Sequence, residues 1–352
     1  MVKTAWLPDR MRALRIHETG SLQNNPEPLR EDELPLPILA SGQVLIRVIA
    51  CGVCRTELDE IEGRTPPARL PMIPGHQVVG EVVKQHDACS LGLMGATVGV
   101  AWIYGSCGDC FYCRSGSENL CPQFRACGRD APGGYAQYMA ADEHFVYPLP
   151  AQLEPLAAAP LLCAGAVGLR AIRLCGLSDG QAVGLTGFGA SGHLVLKMLR
   201  ILYPDSGIYV FARNPGERTF ALDLGADWAG DTTDNPPTAP AAIIDTTPAW
   251  KPVIAALGAL APGGRLVINA ISKESGDIQE WLSLDYPRHL WQEKVLRSVT
   301  NVTREDVRDC LSLAATHALK PEITVYPLEQ ANRALREIRA GGIRGARVLS
   351  IG

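Results

Sequence analysis

The first 150 residues contain short apolar stretches separated by clusters of glycine and proline. Alternation of apolar and polar positions between such turn residues is typical of β-strands. The pattern predicts strands over residues 12–17, 44–50, 78–83 and 97–103. We therefore expect a β-rich domain built on a partly closed sheet.

After Cys163 the pattern changes to longer units in which an apolar strand alternates with a helix. The predicted strands are 182–186, 207–212, 241–245 and 265–270. The predicted helices are 164–174, 193–202, 220–225 and 253–260. Such alternation indicates a parallel sheet with helices on both faces. A proline-rich stretch, 234–240, is predicted to be a surface loop.

Composition narrows the classes of protein that need to be considered. The chain has 352 residues, of which 47% are hydrophobic and 20% charged, which is typical of a globular protein with two domains. Its net charge of −4 argues against nucleic acid or an anionic membrane as the main partner. We find no signal peptide and no apolar run able to span a bilayer, so we expect a cytoplasmic protein.

The cysteines predict a structural metal site. Their number, eleven, is odd, so complete disulfide pairing within the chain is impossible, and without a signal peptide they are better interpreted as thiols and metal ligands. Four of them are closely spaced, as Cys107-x2-Cys110-x2-Cys113-x7-Cys121. Four thiolates on one loop can surround a tetrahedral zinc ion and leave no open position. Four unrelated free cysteines are disfavoured, because free cysteines rarely cluster at this spacing.

A second candidate metal site combines residues that are far apart in the sequence. Cys54 lies in the segment Cys51–Glu57, which we expect to form a short turn after a strand. His76 follows soon afterwards, and Cys163 offers a second thiolate. Two cysteines and one histidine with an open fourth position are the pattern of a catalytic zinc site. The alternative is a redox pair of Cys51 and Cys54, but the βαβ context of that motif is missing, and Cys51 is better interpreted as a packed small residue.

A glycine-rich turn predicts a dinucleotide site. Gly187, Gly189 and Gly192 form G-x-G-x-x-G between a predicted strand and an apolar helix. In that position glycines permit a tight turn and a close approach of pyrophosphate to the helix N-terminus. At the end of the next strand, Ala212 stands where NAD-binding proteins carry an acid, and Arg213 follows it, which favours NADP. The alternative is that Arg213 is an ordinary solvated charge and that NAD binds through other contacts.

These motifs occur in the order found in one family, and from residue 11 onward the chain resembles the zinc-dependent alcohol dehydrogenases of the medium-chain dehydrogenase/reductase superfamily, particularly the bacterial members. Two cysteines and one histidine are the zinc ligands already known for alcohol dehydrogenases. The resemblance implies an α/β fold with a GroES-like catalytic domain at 1–164 and 300–352, including a structural-zinc lobe near 105–125. A Rossmann domain with a doubly wound parallel sheet would occupy 165–299.

The resemblance also assigns a reaction and residue roles. It implies two zinc ions per chain and hydride transfer between a nicotinamide cofactor and a small to medium primary or secondary alcohol, or the matching aldehyde or ketone. The catalytic zinc would bind the alcohol oxygen and lower its pKa. Thr56 would take the alcohol proton, Arg55 and Arg347 would contact cofactor phosphates, and Trp102 would line the substrate pocket. A homo-oligomer, dimer or tetramer, is expected by analogy.

Three residues depart from the family pattern. Glu57 replaces the usual aspartate that orients the zinc-binding histidine. Gln77 replaces a glutamate that lies close to the zinc, and Asp59 stands where many members carry a histidine that completes the proton relay. Two alternatives therefore stay open. One is a reductase of activated C=C bonds on the same scaffold, and the other is a non-catalytic nucleotide-binding sensor.

Overall fold

The structure of the protein, a computed structural model, describes residues 7–351 and divides into two compact units. The first unit comprises residues 7–163, 302–341 and 346–351, and the second comprises residues 164–301 and 342–345. Residues 1–6 of the predicted catalytic domain lie outside the described residues. Within the described part of the chain no single helix could cross a membrane, and one bent pair, Pro155–Leu162 with Ala164–Cys175, passes by length and composition alone.

Strands and helices are numbered here in chain order. The strands are β1 Arg10–Ile16, β2 Leu29–Pro35, β3 Gln43–Val53, β4 Val78–Gln85, β5 Thr97–Val100, β6 Ile103–Gly105, β7 Arg125–Ala126, β8 Tyr138–Asp142, β9 Val146–Pro148, β10 Val183–Thr186, β11 Ile208–Phe211, β12 Trp228–Gly230, β13 Ala242–Asp245, β14 Arg265–Ile268, β15 Val295–Ser298, β16 Ile323–Pro327 and β17 Ala346–Ser350. The helices are α1 Arg55–Ile61, α2 Phe111–Arg114, α3 Pro155–Ala158, α4 Ala164–Cys175, α5 Ala190–Leu202, α6 Pro215–Asp223, α7 Lys251–Ala259, α8 Tyr286–His289, α9 Arg304–Thr316 and α10 Ala331–Ala340.

The first unit is built around β3. Its largest sheet has the strand order β16-β17-β3-β4-β5-β9, and β8 also pairs with β3. Because β3 has neighbours on both sides and packs into the main core of the unit, most of its residues are buried and apolar. In β17, Arg347 pairs with Val53 at the end of β3. The prediction of a β-rich domain is confirmed, and the last strand of the chain lies beside the segment that leads into Cys54.

The prediction of a single strand over residues 97–103 is wrong. β5 ends at Val100 and pairs with β4 and β9 in the large sheet. β6 begins at Ile103 and pairs with β7 instead. Because the chain passes from one sheet to another at Ala101 and Trp102, one apolar stretch contains two strands.

The second unit contains a six-stranded sheet whose strands are all parallel, in the order β12-β11-β10-β13-β14-β15. Every residue of β10, β11 and β13 is buried, as expected for a parallel sheet covered on both faces. The strand order reverses between β10 and β13. In open sheets of this kind, ligands bind outside the carboxyl ends of the strands at that reversal.

Several helices in the second unit begin at residues other than the predicted ones. α5 begins at Ala190 rather than at residue 193, so Gly192 lies in its first turn. The helix predicted over 220–225 is α6, which begins at Pro215 because the Asn214 side chain accepts a hydrogen bond from Gly216 N at 2.7 Å and caps it. β12 and β15 are not predicted at all. β12 has only three residues, and all four residues of β15 are exposed.

Candidate metal centres and nucleotide site

Cys54 lies at the junction of β3 and α1, where it caps the helix. Its Sγ accepts a hydrogen bond from Thr56 N at 3.3 Å, and its own N–H donates to Glu57 Oε2 at 2.8 Å. This reciprocal arrangement is a capping box in which cysteine takes the place usually held by serine or threonine. The prediction of a short turn over Cys51–Glu57 is therefore wrong, because this segment is the end of a strand followed by the first turn of a helix.

Cys54, His76 and Cys163 come together within the first unit. Their ligand atoms all lie within 4.8 Å of one another, and His76 Nε2 is 3.2 Å from Cys163 Sγ. The His76 side chain is only 1% exposed. Two thiolates and an imidazole form a donor set suited to zinc, with a fourth position left for substrate. The residues present therefore fit a catalytic zinc ion.

Glu57 fixes the orientation of His76. The fully buried carboxylate lies 2.6 Å from His76 Nδ1, while its other oxygen is held by Cys54 N. Burial acts to lower the pKa of His76, but the negative charge of Glu57 outweighs it and raises that pKa well above its ordinary value. Because the carboxylate lies against Nδ1, Nε2 is the ring atom that faces the thiols. The longer glutamate side chain reaches the histidine that an aspartate normally orients.

The other predicted catalytic residues differ in their surroundings. Thr56 Oγ1 is 3.3 Å from Cys54 Sγ, so its hydroxyl adjoins the metal ligands. Asp59 is 1% exposed, and its Oδ1 accepts a hydrogen bond from Arg64 Nε at 2.5 Å. Arg64, which no sequence pattern singled out, forms an ion pair with Asp59. The proton-relay role of Asp59 stays a prediction.

Trp102 packs against His76, and the side chain of Gln77, the next residue along the chain, packs against Gly52. The Gln77 side chain is buried against Gly52, where an added Cβ would come within 2.5 Å of Gln77 Oε1. A glycine at residue 52 is therefore needed to admit this amide. The Trp102 ring meets His76 edge-on, with 6.4 Å between ring centroids. An apolar wall next to His76 agrees with the place predicted for Trp102.

The four closely spaced cysteines form a second cluster in the first unit. The ligand atoms of Cys107, Cys110, Cys113 and Cys121 also lie within 4.8 Å of one another. Backbone N–H groups point at the sulfurs, and hydrogen bonds from the Cys110 and Asp109 backbones lower the pKa of Cys107 to about 6. A thiol that ionises readily binds zinc more readily. The cluster fits a closed, structural zinc site, since all four positions of a tetrahedral ion have a sulfur donor.

The glycine turn lies at the carboxyl end of β10 in the second unit. Gly187 has a φ of 77°, in the left-handed region, and an added Cβ would come within 2.9 Å of Thr247 Cγ2. At Gly192 an added Cβ would be only 2.7 Å from Gly187 O. Gly189 precedes α5 and has open space where a Cβ would be. The turn therefore brings bare backbone to the N-terminus of a helix, the arrangement that receives a pyrophosphate.

The predicted phosphate-binding arginines are divided between the units. Arg213 is exposed and directly follows β11 and Ala212 in the second unit. In the first unit, Arg55 begins α1, and Arg347 is 9% exposed with Nε 3.4 Å from Glu337 Oε2. A buried ion pair of Asp245 and Lys273, which the sequence did not predict, lies at the carboxyl edge of the parallel sheet. The only local signal was an aspartate that ends an apolar strand.

Fold and site together define a zinc-type dehydrogenase with a catalytic unit and a nucleotide-binding unit. Residues 40–151 match the alcohol dehydrogenase GroES-like domain family, and residues 224–349 match the zinc-binding dehydrogenase family. A probable alcohol dehydrogenase, AdhA, from Mycobacterium tuberculosis (strain CDC 1551 / Oshkosh) is 41% identical over 346 residues, covering 97% of each chain. An alcohol dehydrogenase of Geobacillus stearothermophilus is 31% identical over 335 residues, covering 91% of this chain and 94% of that one.

A similar fold occurs in acetophenone reductase from Geotrichum candidum in complex with NAD, with a TM-score of 0.86, 20% identity and 98% of each chain covered. The chain belongs to the zinc-type alcohol dehydrogenases of the medium-chain dehydrogenase/reductase superfamily. It is therefore an NAD(P)-dependent alcohol oxidoreductase, and the resemblance found in the sequence is confirmed.

Proposed function

We propose that this enzyme transfers a hydride between NADP(H) and a small to medium primary or secondary alcohol, or the matching aldehyde or ketone, at the site formed by Cys54, His76 and Cys163. The observation that carries the proposal is the convergence of these three ligands, with the hydroxyl of Thr56 3.3 Å from one of them. The glycine turn, Arg55, Arg213 and Arg347 would bind the coenzyme phosphates.

We further propose two zinc ions per chain. One would be held by Cys54, His76 and Cys163, and the other by the four-cysteine cluster. When bound, the first ion supplies Lewis-acid polarisation of the substrate oxygen. The second supplies cross-links between parts of a loop that has few apolar residues of its own.

Side chains of the protein would carry the alcohol proton away from the substrate. In the oxidation direction, the C–H bond supplies a hydride to the nicotinamide and the O–H proton passes to Thr56 Oγ1, leaving a carbonyl. Glu57 holds the His76 ring in place throughout, because its two oxygens are engaged by His76 and Cys54 N. Thr56 would pass its own hydroxyl proton onward to Asp59, which pairs with Arg64.

Thr56→Ala tests this proton path. We expect kcat to fall by about 10²- to 10⁴-fold, the range that general acid–base groups contribute, with both zinc ions retained. The measurement is initial-rate turnover of a panel of alcohols and aldehydes, alongside metal content. Thr56→Ser is the matched control, since it keeps the hydroxyl and should keep most of the activity. Equal turnover by wild type and Thr56→Ala would remove Thr56 from the proposed mechanism.

Arg213→Ala tests the coenzyme preference. Arg213 is exposed and directly follows β11, so its guanidinium can reach a 2′-phosphate at the end of that strand. Loss of a charge-assisted hydrogen bond should raise the KM for NADP(H) by about 10- to 100-fold and leave that for NAD(H) unchanged. Arg218→Ala is a matched control, because Arg218 is engaged by Ala212 O at 2.9 Å and by Asp231 at 3.3 Å. A wild type that prefers NAD(H) would contradict the proposal.

We also propose a homo-oligomer, a dimer or tetramer, in the cytoplasm. β15 is an edge strand of the parallel sheet, and Val295 and Leu296 on it are 43% and 37% exposed, with Trp291 nearby in sequence at 65%. An exposed apolar edge strand invites pairing with the same strand of a second copy. All eleven cysteines are unpaired, which suits a reducing compartment.

A further inference from the structure

A buried ion pair lies at the carboxyl edge of the parallel sheet. Asp245, the last residue of β13, is fully buried, and the Lys273 side chain, which follows β14, is 7% exposed. Lys273 Nζ contacts Asp245 Oδ2 directly and donates to Thr247 O at 2.7 Å. Removing two charges from water costs free energy unless the charges are closely paired, so the folded protein strongly favours keeping Lys273 and Asp245 in contact.

The pair lies where the strand order reverses. Thr186, the last residue of β10, donates from Oγ1 to Asp245 Oδ1 at 2.5 Å, and Thr247 Oγ1 donates to the same oxygen at 2.8 Å. One carboxylate thus joins the ends of β10 and β13 to the loop after β14. This is the edge at which doubly wound sheets bind their ligands.

Two loops are connected along their length around Lys273. Asn269 N donates to Asp245 O at 2.7 Å, and Glu274 N donates to Pro248 O at 2.7 Å. Asp277 Oδ2 accepts from both Trp250 N and Lys251 N at 2.9 Å, at the start of α7. The loop over residues 269–277 therefore takes its shape from the loop over residues 246–250, and Lys273 lies in the middle of their contact.

The position of the Lys273–Asp245 contact indicates which half of a bound dinucleotide lies next to it. The glycine turn follows β10, and the segment expected to meet the adenosine ribose follows β11. A doubly wound sheet consists of two mononucleotide-binding halves, so the half formed by β13, β14 and β15 is left for the nicotinamide nucleotide. Asn269 Nδ2 is buried there without a hydrogen-bond partner among the described residues, and it can donate to a carbonyl such as that of the nicotinamide carboxamide.

We propose that the Lys273–Asp245 ion pair is a positioning pair that shapes the nicotinamide half of the coenzyme site. It holds the loops over residues 246–250 and 269–277 in the conformation that receives the nicotinamide ring, without touching the reacting atoms. The inference rests on the proposed nucleotide site at the glycine turn. It goes beyond that site by assigning the nicotinamide half to residues that carry no dinucleotide motif.

The test compares two ligands that differ only in the nicotinamide. The preferred coenzyme and its nicotinamide-free counterpart, 2′-phospho-ADP-ribose or ADP-ribose, are titrated calorimetrically into wild type, Lys273→Arg and the double variant Lys273→Met/Asp245→Asn. The double variant removes both charges, while the new amide can still accept hydrogen bonds from Thr186 and Thr247. We expect the double variant to bind the coenzyme about 10- to 100-fold more weakly, as the loss of one or two hydrogen bonds to the nicotinamide would cause, and to bind the fragment as wild type does. Lys273→Arg, which keeps the positive charge, should lose less coenzyme affinity than the double variant.

Further variants separate positioning from folding. Lys273→Met alone leaves Asp245 buried without its partner and should lower Tm, while the double variant should regain Tm but not coenzyme affinity. Arg200→Met is the matched control, since it removes an ion pair with Asp227 near the amino end of β11 and should leave both titrations unchanged. Recovery of affinity together with Tm, or equal weakening of coenzyme and fragment, would overturn the proposal. A wild type that bound neither ligand would overturn the nucleotide site itself, and the role of the pair with it.

Discussion

Replacing Cys163 with alanine is expected to reduce alcohol turnover by on the order of 10³-fold, because a metal contributes several kcal/mol to transition-state stabilisation and each 1.36 kcal/mol is a factor of ten. Among the residues that the structure describes, Cys163 is one of three donors in its cluster, and its Sγ lies 3.2 Å from His76 Nε2. With two donors left, zinc binding at this site should fail. Metal content should fall from two zinc ions per chain to one, with kcat measured on the same sample.

The control for this substitution is Cys89→Ala. Cys89 is a half-buried thiol of the first unit that belongs to neither metal cluster, and its Sγ faces Gln43 O. That variant should keep both zinc ions and wild-type turnover. If Cys163→Ala kept two zinc ions and full activity, the ligand set of Cys54, His76 and Cys163 would be refuted, whatever the result at Cys89.

Replacing Cys113 with alanine should have the largest effect on stability. Structural zinc contributes about 10–16 kcal/mol of binding free energy in zinc-finger peptides, and that energy is coupled to folding. Even partial coupling here should lower Tm by about 5–10 °C. One zinc ion per chain should be lost, and limited proteolysis should cut within residues 105–125, which have few apolar side chains to hold them. Turnover at low temperature should be affected much less than by Cys163→Ala, because the donors of the other site are intact.

The same Cys89→Ala protein serves as the comparison for Tm and proteolysis. A Cys113→Ala protein with an unchanged melting curve and an intact 105–125 segment would show that the cluster does not stabilise this loop. Zinc analysis would then distinguish the two explanations. Two retained ions would indicate that three thiolates suffice, and one retained ion would indicate that the loop holds its shape without metal.

Features formed by residues close in sequence were predictable. The four cysteines of the structural site span fifteen positions, so their spacing alone brings the sulfurs together. The glycine turn was predictable because it connects a buried strand to the helix that follows it. The parallel sheet followed from the alternation of strands and helices. The grouping of Cys54, His76 and Cys163, which lie far apart in the sequence, was predicted from the motifs around each residue and from their resemblance to the zinc-dependent alcohol dehydrogenases.

Features that depend on side chains meeting across the fold were not predictable. The contact of Glu57 with His76 was expected from the resemblance, but nothing in the sequence indicates that Glu57 also caps α1, because a cysteine at the cap position does not mark the start of a helix. The ion pair of Asp245 and Lys273 joins loops whose contact exists only after the sheet has formed. β15 was missed because an exposed edge strand lacks the apolar pattern that marks a buried one.

The position of β17 determines the order in which the polypeptide can fold during synthesis. Domains form as units while the chain is translated, and the nucleotide-binding unit is almost continuous in sequence, so most of it is complete when residue 301 has been made. The large sheet of the catalytic unit must wait for Ala346–Ser350, which enter between β16 and β3. Until then the end of β3 beside Cys54 lacks its neighbouring strand on one side. An unpaired edge of this kind is open to pairing with strands of other chains. Acquisition of the catalytic metal is thus expected to be among the last events in the maturation of this enzyme.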